Sequence, residues 1–216
     1  LDEIPSHIEA RAQYIELSRP LEMEYQGETV GLELIWRNYI TGSLFNLFKK
    51  GEDPYGLNLP LDTKEWDHFS PALFTPTTKG ASDDPIVSQL VRDKYPEIIS
   101  TLEELFKEFT QHCYELGIII VDTKFEVFID SHGNWVLGDE ILTPESSRFI
   151  LVSDFKQQNY KSMDKQVLRD YGKEQNWKAF KDANDPGTLL VTTIPEEIKL
   201  EVMSAYILVK QKLCNM

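Results

Sequence analysis

Apolar and polar residues alternate from Gly31 to Arg37. Leu32, Leu34 and Trp36 fall on one side and Glu33, Ile35 and Arg37 on the other, the period-two signature of a strand. A second strand is expected at Gln13 to Leu17, with Gln26-Gly27 as a turn between them. Ser43 to Lys50 reads as a short helix with Leu44, Phe45, Leu47 and Phe48 on its apolar side and Gly51 as its stop. Glu52 to Pro85 is rich in Pro, Asp, Thr and Gly and reads as a long loop. A helix is expected to start at Asp84-Pro85, followed by a longer one from Pro96 to Gly117. The longer helix carries Ile98, Leu102, Leu105, Phe109, Cys113 and Leu116 as its stripe. Ile118 to Ile129 is predicted to be a strand whose first four residues are buried on both faces, with Trp135 to Leu142 as its hairpin partner. Helices at Met163 to Tyr171 and Pro195 to Leu213 follow. This order of elements predicts an α+β fold.

Composition changes the picture in three ways. The 216 residues carry a net charge of −14, so there is no basic field to attract nucleic acid. No apolar run is long enough to span a bilayer, and no basic segment followed by an apolar one opens the sequence. The four histidines are scattered and the two cysteines, Cys113 and Cys214, lack metal-ligand spacing; both read as buried reduced thiols, as in a reducing cytosol. Partners are therefore expected to be small molecules.

The hairpin from Ile118 to Leu142 carries the candidate chemistry. Asp122, Lys124 and Glu126 share one face of its first strand. An even-length loop at His132-Gly133 places Glu126 directly opposite Asp139. Opposed carboxylates repel, and they persist beside a cation, with a shared proton or under solvent screening. Magnesium suits the first case, because it takes one or two carboxylates and completes its shell with water and phosphate oxygens. A solvated charged hairpin is the plain alternative. Two further segments read as anion sites. Arg37 precedes Thr41-Gly42-Ser43, where Ser43 is a suitable N-cap for the next helix. Thr75 to Lys79 offers hydroxyls and a lysine within the long loop.

Five stretches, in order, resemble the SAICAR synthetase (phosphoribosylaminoimidazole-succinocarboxamide synthase) family: Leu34 to Ser43 (LIWRNYITGS), Phe74 to Lys79 (FTPTTK), Gly117 to Glu126 (GIIIVDTKFE), Gly138 to Phe149 (GDEILTPESSRF) and Asp164 to Asp170 (DKQVLRD). The resemblance implies a two-lobed ATP-binding fold, here mostly the C-terminal lobe, with a central β-hairpin and packed helices. Residues 1–38 would be the end of the N-terminal β-rich lobe with the adenine-facing linker, and residues 39–216 the substrate- and metal-binding domain. It implies an ATP-dependent ligase joining L-aspartate to carboxyaminoimidazole ribotide through an acyl phosphate, cytoplasmic, with ATP and Mg2+ as cofactors and compatible with a homo-oligomer. By position, Glu126 and Asp139 resemble the metal ligands. Lys124, Asp122 and Arg148 resemble the catalytic groups; Arg37, Ser43, Lys79, Ser147, Arg148 and Arg169 the substrate contacts; and Arg19, Leu21 and Met23 the adenine-facing segment.

The chain departs from the family pattern at Val127-Phe128, at Gly80-Ala81 and at Ile150. Nothing before Ile4 matches the strand-turn-strand that covers ATP phosphates, so more sequence is expected upstream. Two other classes stay open: a small-molecule or lipid kinase of the same broad fold, and an inactive homologue.

Overall fold

The computed structural model describes residues 18–80, 83–174 and 194–214. The strand expected at Gln13 to Leu17 lies outside the described residues. The chain divides into two compact units, residues 1–108 with 122–142, and residues 109–121 with 143–216.

In the first unit, β1 (Arg19–Pro20), β2 (Glu22–Tyr25) and β3 (Glu28–Tyr39) precede α1 (Gly42–Lys49), β4 (His68–Phe74) and β5 (Thr77–Lys79). Then come α2 (Ser88–Lys94), most of α3 (Pro96–Glu115), β6 (Ile118–Ile129) from Asp122 onward, and β7 (Trp135–Gly138). The turn between β2 and β3 has Gln26 at φ 52° and Gly27 at φ 88°, the two left-handed residues that a tight hairpin needs. β3 is the hub and pairs antiparallel with β2, β4, β5 and β6. Its buried side, Leu32, Leu34 and Trp36, follows the alternation in the sequence. Trp36 packs 4.6 Å from Phe74 and 5.7 Å from Phe125, ring centre to ring centre. A separate cluster of Ile40, Leu44 and Tyr55 anchors α1. Position 38 lies inside β3.

Several local expectations need correction. The stretch read as one long loop contains β4 and β5, which are strands because β3 supplies their partners from far away in sequence. The helix expected at Asp84-Pro85 begins at Ser88; Pro85 instead bridges Thr77, and the Ile86 N–H bonds the Pro76 carbonyl at 3.0 Å. Ser43 does not cap α1. Thr41 holds the cap position, and its hydroxyl donates to Glu65 at 3.0 Å instead of accepting from the helix.

The second unit contains the end of α3, the first four residues of β6, β8 (Ser147–Leu151), α4 (Val152–Lys156), α5 (Gln166–Glu174) and α6 (Glu196–Cys214). Gly117, at φ 81°, ends α3 as its sequence position predicts, and Ile118 to Val121 are all buried. β8 pairs with β6 and α5 packs against α6. The helix expected from Met163 starts at Gln166, because the Asp164 carboxylate accepts the Gln166 N–H at 2.8 Å and caps it there. Cys113 is buried, which pushes its thiol up to about 11. Cys214 is exposed, contrary to the expectation of two buried thiols. Among the described residues no helix is long and apolar enough to cross a membrane.

Candidate active site

The hairpin register differs by one residue from the sequence expectation. Glu126 pairs with Gly138, and Ile129 with Trp135. The cause is the loop: Asp130 N–H bonds the Asn134 carbonyl at 2.9 Å, enclosing three residues that end on Gly133 at φ 85°. A three-residue loop closed by a left-handed glycine is a standard hairpin solution, and its odd length moves Asp139 past the end of β7. Trp135 to Leu142 is thus a strand only as far as Gly138.

The two carboxylates still meet. Asp139 takes a left-handed backbone, φ 54°, and its carboxyl hydrogen-bonds Glu126. Desolvation, the Glu126 charge and this hydrogen bond raise the Asp139 pKa, against the opposing pull of Lys124 and Lys79. Glu126 is itself buried. Desolvation alone would raise its pKa, but hydrogen bonds from Lys124 and Lys79 outweigh burial and lower it.

Lys124 reaches Glu126 and Glu33, each at 2.8 Å. Burial would depress the Lys124 pKa, yet those two acceptors hold it well above its ordinary range. Lys79 bonds the second oxygen of Glu126, and its ammonium lies 5.6 Å from the centre of the Phe128 ring. Glu33 was not anticipated from sequence. The only available signal was an acid set between Leu32 and Leu34, and its importance depends on the pairing of β3 with β6.

Gly138 makes room for this cluster. A Cβ there would stand 2.4 Å from Phe128 Cδ2 and Cε2. Gly138→Ala is expected to destabilise the fold by about 1–3 kcal/mol through overpacking. Thermal unfolding measures it, and the loss should largely vanish in a Phe128→Ala background. An equal loss in both backgrounds would contradict the assignment.

Arg37 and Asp122 face each other across β3 and β6 and form a buried ion pair, Nη1 to Oδ2 at 2.7 Å, while Arg37 Nε donates to Thr75 Oγ1 at 2.9 Å. Arg37 is therefore engaged inside the protein rather than presented beside an open helix end. Ser43 is exposed at the second residue of α1. Leu21 and Met23 are buried; Leu21 donates its N–H to the Val127 carbonyl at 2.8 Å and accepts from the Leu32 N–H at 2.9 Å. Arg19 pairs with Ile129 in β1.

In the second unit, Ser147 is buried, Arg148 is half-buried and Arg169 is exposed. Asp164 opens the Asp164 to Asp170 stretch, and its type alone points to no function. It is buried, which raises its pKa against the Gln166 N–H and the charges of Arg148 and Arg169.

Among the described residues no group of three or more His, Cys, Asp or Glu side chains is arranged to hold a metal ion. The Glu126–Asp139 pair nevertheless fits a hard cation that keeps water and phosphate ligands. It brings two carboxyl groups into contact, one with its proton affinity raised by the other.

An antiparallel sheet with helices, carrying paired carboxylates and lysines on adjoining strands, defines the class: an α+β protein with a buried charged cluster. The SAICAR synthetase family profile matches residues 2–184, and the chain belongs to that family. It is 38% identical over 191 residues to the phosphoribosylaminoimidazole-succinocarboxamide synthase of Schizosaccharomyces pombe, covering 84% of this chain and 62% of that protein. A solved SAICAR synthase from Saccharomyces cerevisiae, complexed with SAICAR, superposes with a TM-score of 0.64 at 31% identity, covering 86% of this chain and 60% of that one. A Type-2 SAICAR synthetase in complex with ADP shares the fold, with a TM-score of 0.54 at 23% identity, 86% of this chain and 63% of that one covered. The chain thus spans about three-fifths of the length of these relatives.

Proposed function

We propose that the protein is an ATP-dependent carbon–nitrogen ligase that joins L-aspartate to carboxyaminoimidazole ribotide, giving SAICAR, ADP and phosphate in de novo purine biosynthesis. The observation that carries this reading is the meeting of Glu126 and Asp139 beside Lys124 and Lys79 in a chain of this family. A solved relative 31% identical to the chain is complexed with SAICAR, which supports a SAICAR-binding site here, and membership of the family supports the use of ATP. Free cysteines agree with a cytoplasmic setting.

A carboxylate is a poor electrophile, so activation comes first. An oxygen of the ribotide carboxylate attacks the γ-phosphorus of ATP and ADP leaves. The aspartate amine then attacks the acyl carbon, phosphate departs and the nitrogen gives up a proton. Glu126 and Asp139 would hold Mg2+, which when bound neutralises charge on phosphate oxygens. Lys124, kept protonated by Glu33 and Glu126, offers N–H groups to a phosphoryl or carboxylate oxygen. Lys79 is more exposed and is the cation able to leave Glu126 for an anionic substrate. Arg37 positions Asp122. In the second unit Ser147 and Arg148 are assigned to positioning the ribotide and Arg169 to its phosphate and sugar, and Arg19 to Met23 is assigned to the adenine.

The deciding measurement is ADP release by the full-length protein. Release is expected only when L-aspartate and the ribotide are both supplied. ADP formed without aspartate, on a different small-molecule acceptor, would favour the kinase reading instead.

A further inference from the structure

The Glu145 side chain links the turn before β8 to two other elements. The backbone of the turn closes on itself, with the Ser147 N–H on the Thr143 carbonyl at 2.9 Å. Glu145 projects from this turn, and each of its carboxylate oxygens has a different partner. One accepts the hydroxyl of Tyr206 from α6, and the other accepts Lys165 Nζ at 2.9 Å. Lys165 immediately precedes α5, and one turn later Arg169 donates its N–H to the Lys165 carbonyl at 3.0 Å. The Glu145 carboxylate therefore ties the segment bearing Ser147 and Arg148 both to the start of the helix bearing Arg169 and to α6.

The charges are arranged to match. Arg148 and Arg169 both act on the buried carboxyl of Asp164, which caps α5. The Glu145–Lys165 pair is a second, outer bridge between the same two segments. Two arginines on separate elements bind a phosphate well only when their separation is fixed before the ligand arrives. A half-buried turn does not fix it unaided.

We propose that Glu145, gripped by Tyr206 and Lys165, is a positioning residue that sets Arg148 relative to Arg169 for a phosphate monoester, the ribotide's phosphate. This rests on the assignment of those two arginines to the ribotide. Tyr206 touches no substrate in this scheme and acts only through Glu145.

The test is steady-state kinetics of the full-length enzyme with Tyr206→Phe and Glu145→Gln, alongside Arg148→Lys and Arg169→Lys. Loss of one such hydrogen bond is expected to raise KM for the ribotide about fivefold. The kcat, the KM for ATP and the melting temperature should stay near wild type. Tyr206→Phe combined with Arg148→Lys should raise that KM by less than the product of the single effects. An unchanged ribotide KM in Tyr206→Phe and Glu145→Gln, with a raised one in the arginine variants, overturns the positioning role and leaves the ribotide assignment intact. An unchanged KM in the arginine variants overturns both. A uniform rise in every KM with a lower melting temperature would reduce the contact to a structural one and equally overturn the proposal.

Discussion

Glu126→Gln is expected to lower ligase turnover of the full-length protein by about 10²- to 10³-fold, the usual cost of removing one preorganised charge from a reacting centre. Glu126 receives Lys124 and Lys79 and the carboxyl of Asp139, and its side chain is only 5% exposed. The amide keeps the shape but removes one of the two charges that keep Lys124 protonated. It also leaves one carboxylate, Asp139, to bind a divalent cation. Asp139 is exposed, so Asp139→Asn should lose less, about tenfold. Calorimetric titration with magnesium should show weaker binding in both variants, and more so for Glu126→Gln. Wild-type turnover in both would remove the metal clasp from the mechanism.

The two residues were legible in sequence, but the route by which they meet was not. The type and period of β6 and α3 could be read because each carries a long, regular apolar pattern and Gly117 separates them. Ile99 and Phe106 were missed from the α3 stripe, since burial on a half-covered helix depends on what lies against it. The register of β7 turned on a single residue in the loop, where Gly133 takes the left-handed conformation. Periodicity cannot see that difference, because Glu126 stays on the same face in either register. β4 and β5 read as loop for another reason: their apolar alternation is short, and their strand character comes from β3, far earlier in the sequence. Glu33 joined the site through the equally long-range pairing of β3 with β6, and so did the partnership of Arg37 with Asp122.

That last pair separates structure from chemistry at a position assigned to catalysis by resemblance. Asp122 and Arg37 side chains are each about 10% exposed, and their charges sit 2.7 Å apart. Asp122→Asn removes the carboxylate charge beside the guanidinium, which keeps neutral acceptors such as Thr75. Leaving a buried charge unpaired costs about 3–5 kcal/mol. At about 2–4 °C per kcal/mol for a protein of this size, the melting temperature should fall by about 10 °C. Arg37→Met should fall comparably. Replacing both charges, as Arg37→Met with Asp122→Leu, should recover most of the loss, because two apolar side chains satisfy one another where one orphaned charge cannot. Turnover then discriminates between the roles. If Asp122 serves only the fold, the double variant regains activity along with its melting temperature. If its carboxylate also orders Lys124 or a substrate, the double variant melts near wild type and stays inactive. Equal melting temperatures for Asp122→Asn and wild type would mean that the ion pair does not form in solution.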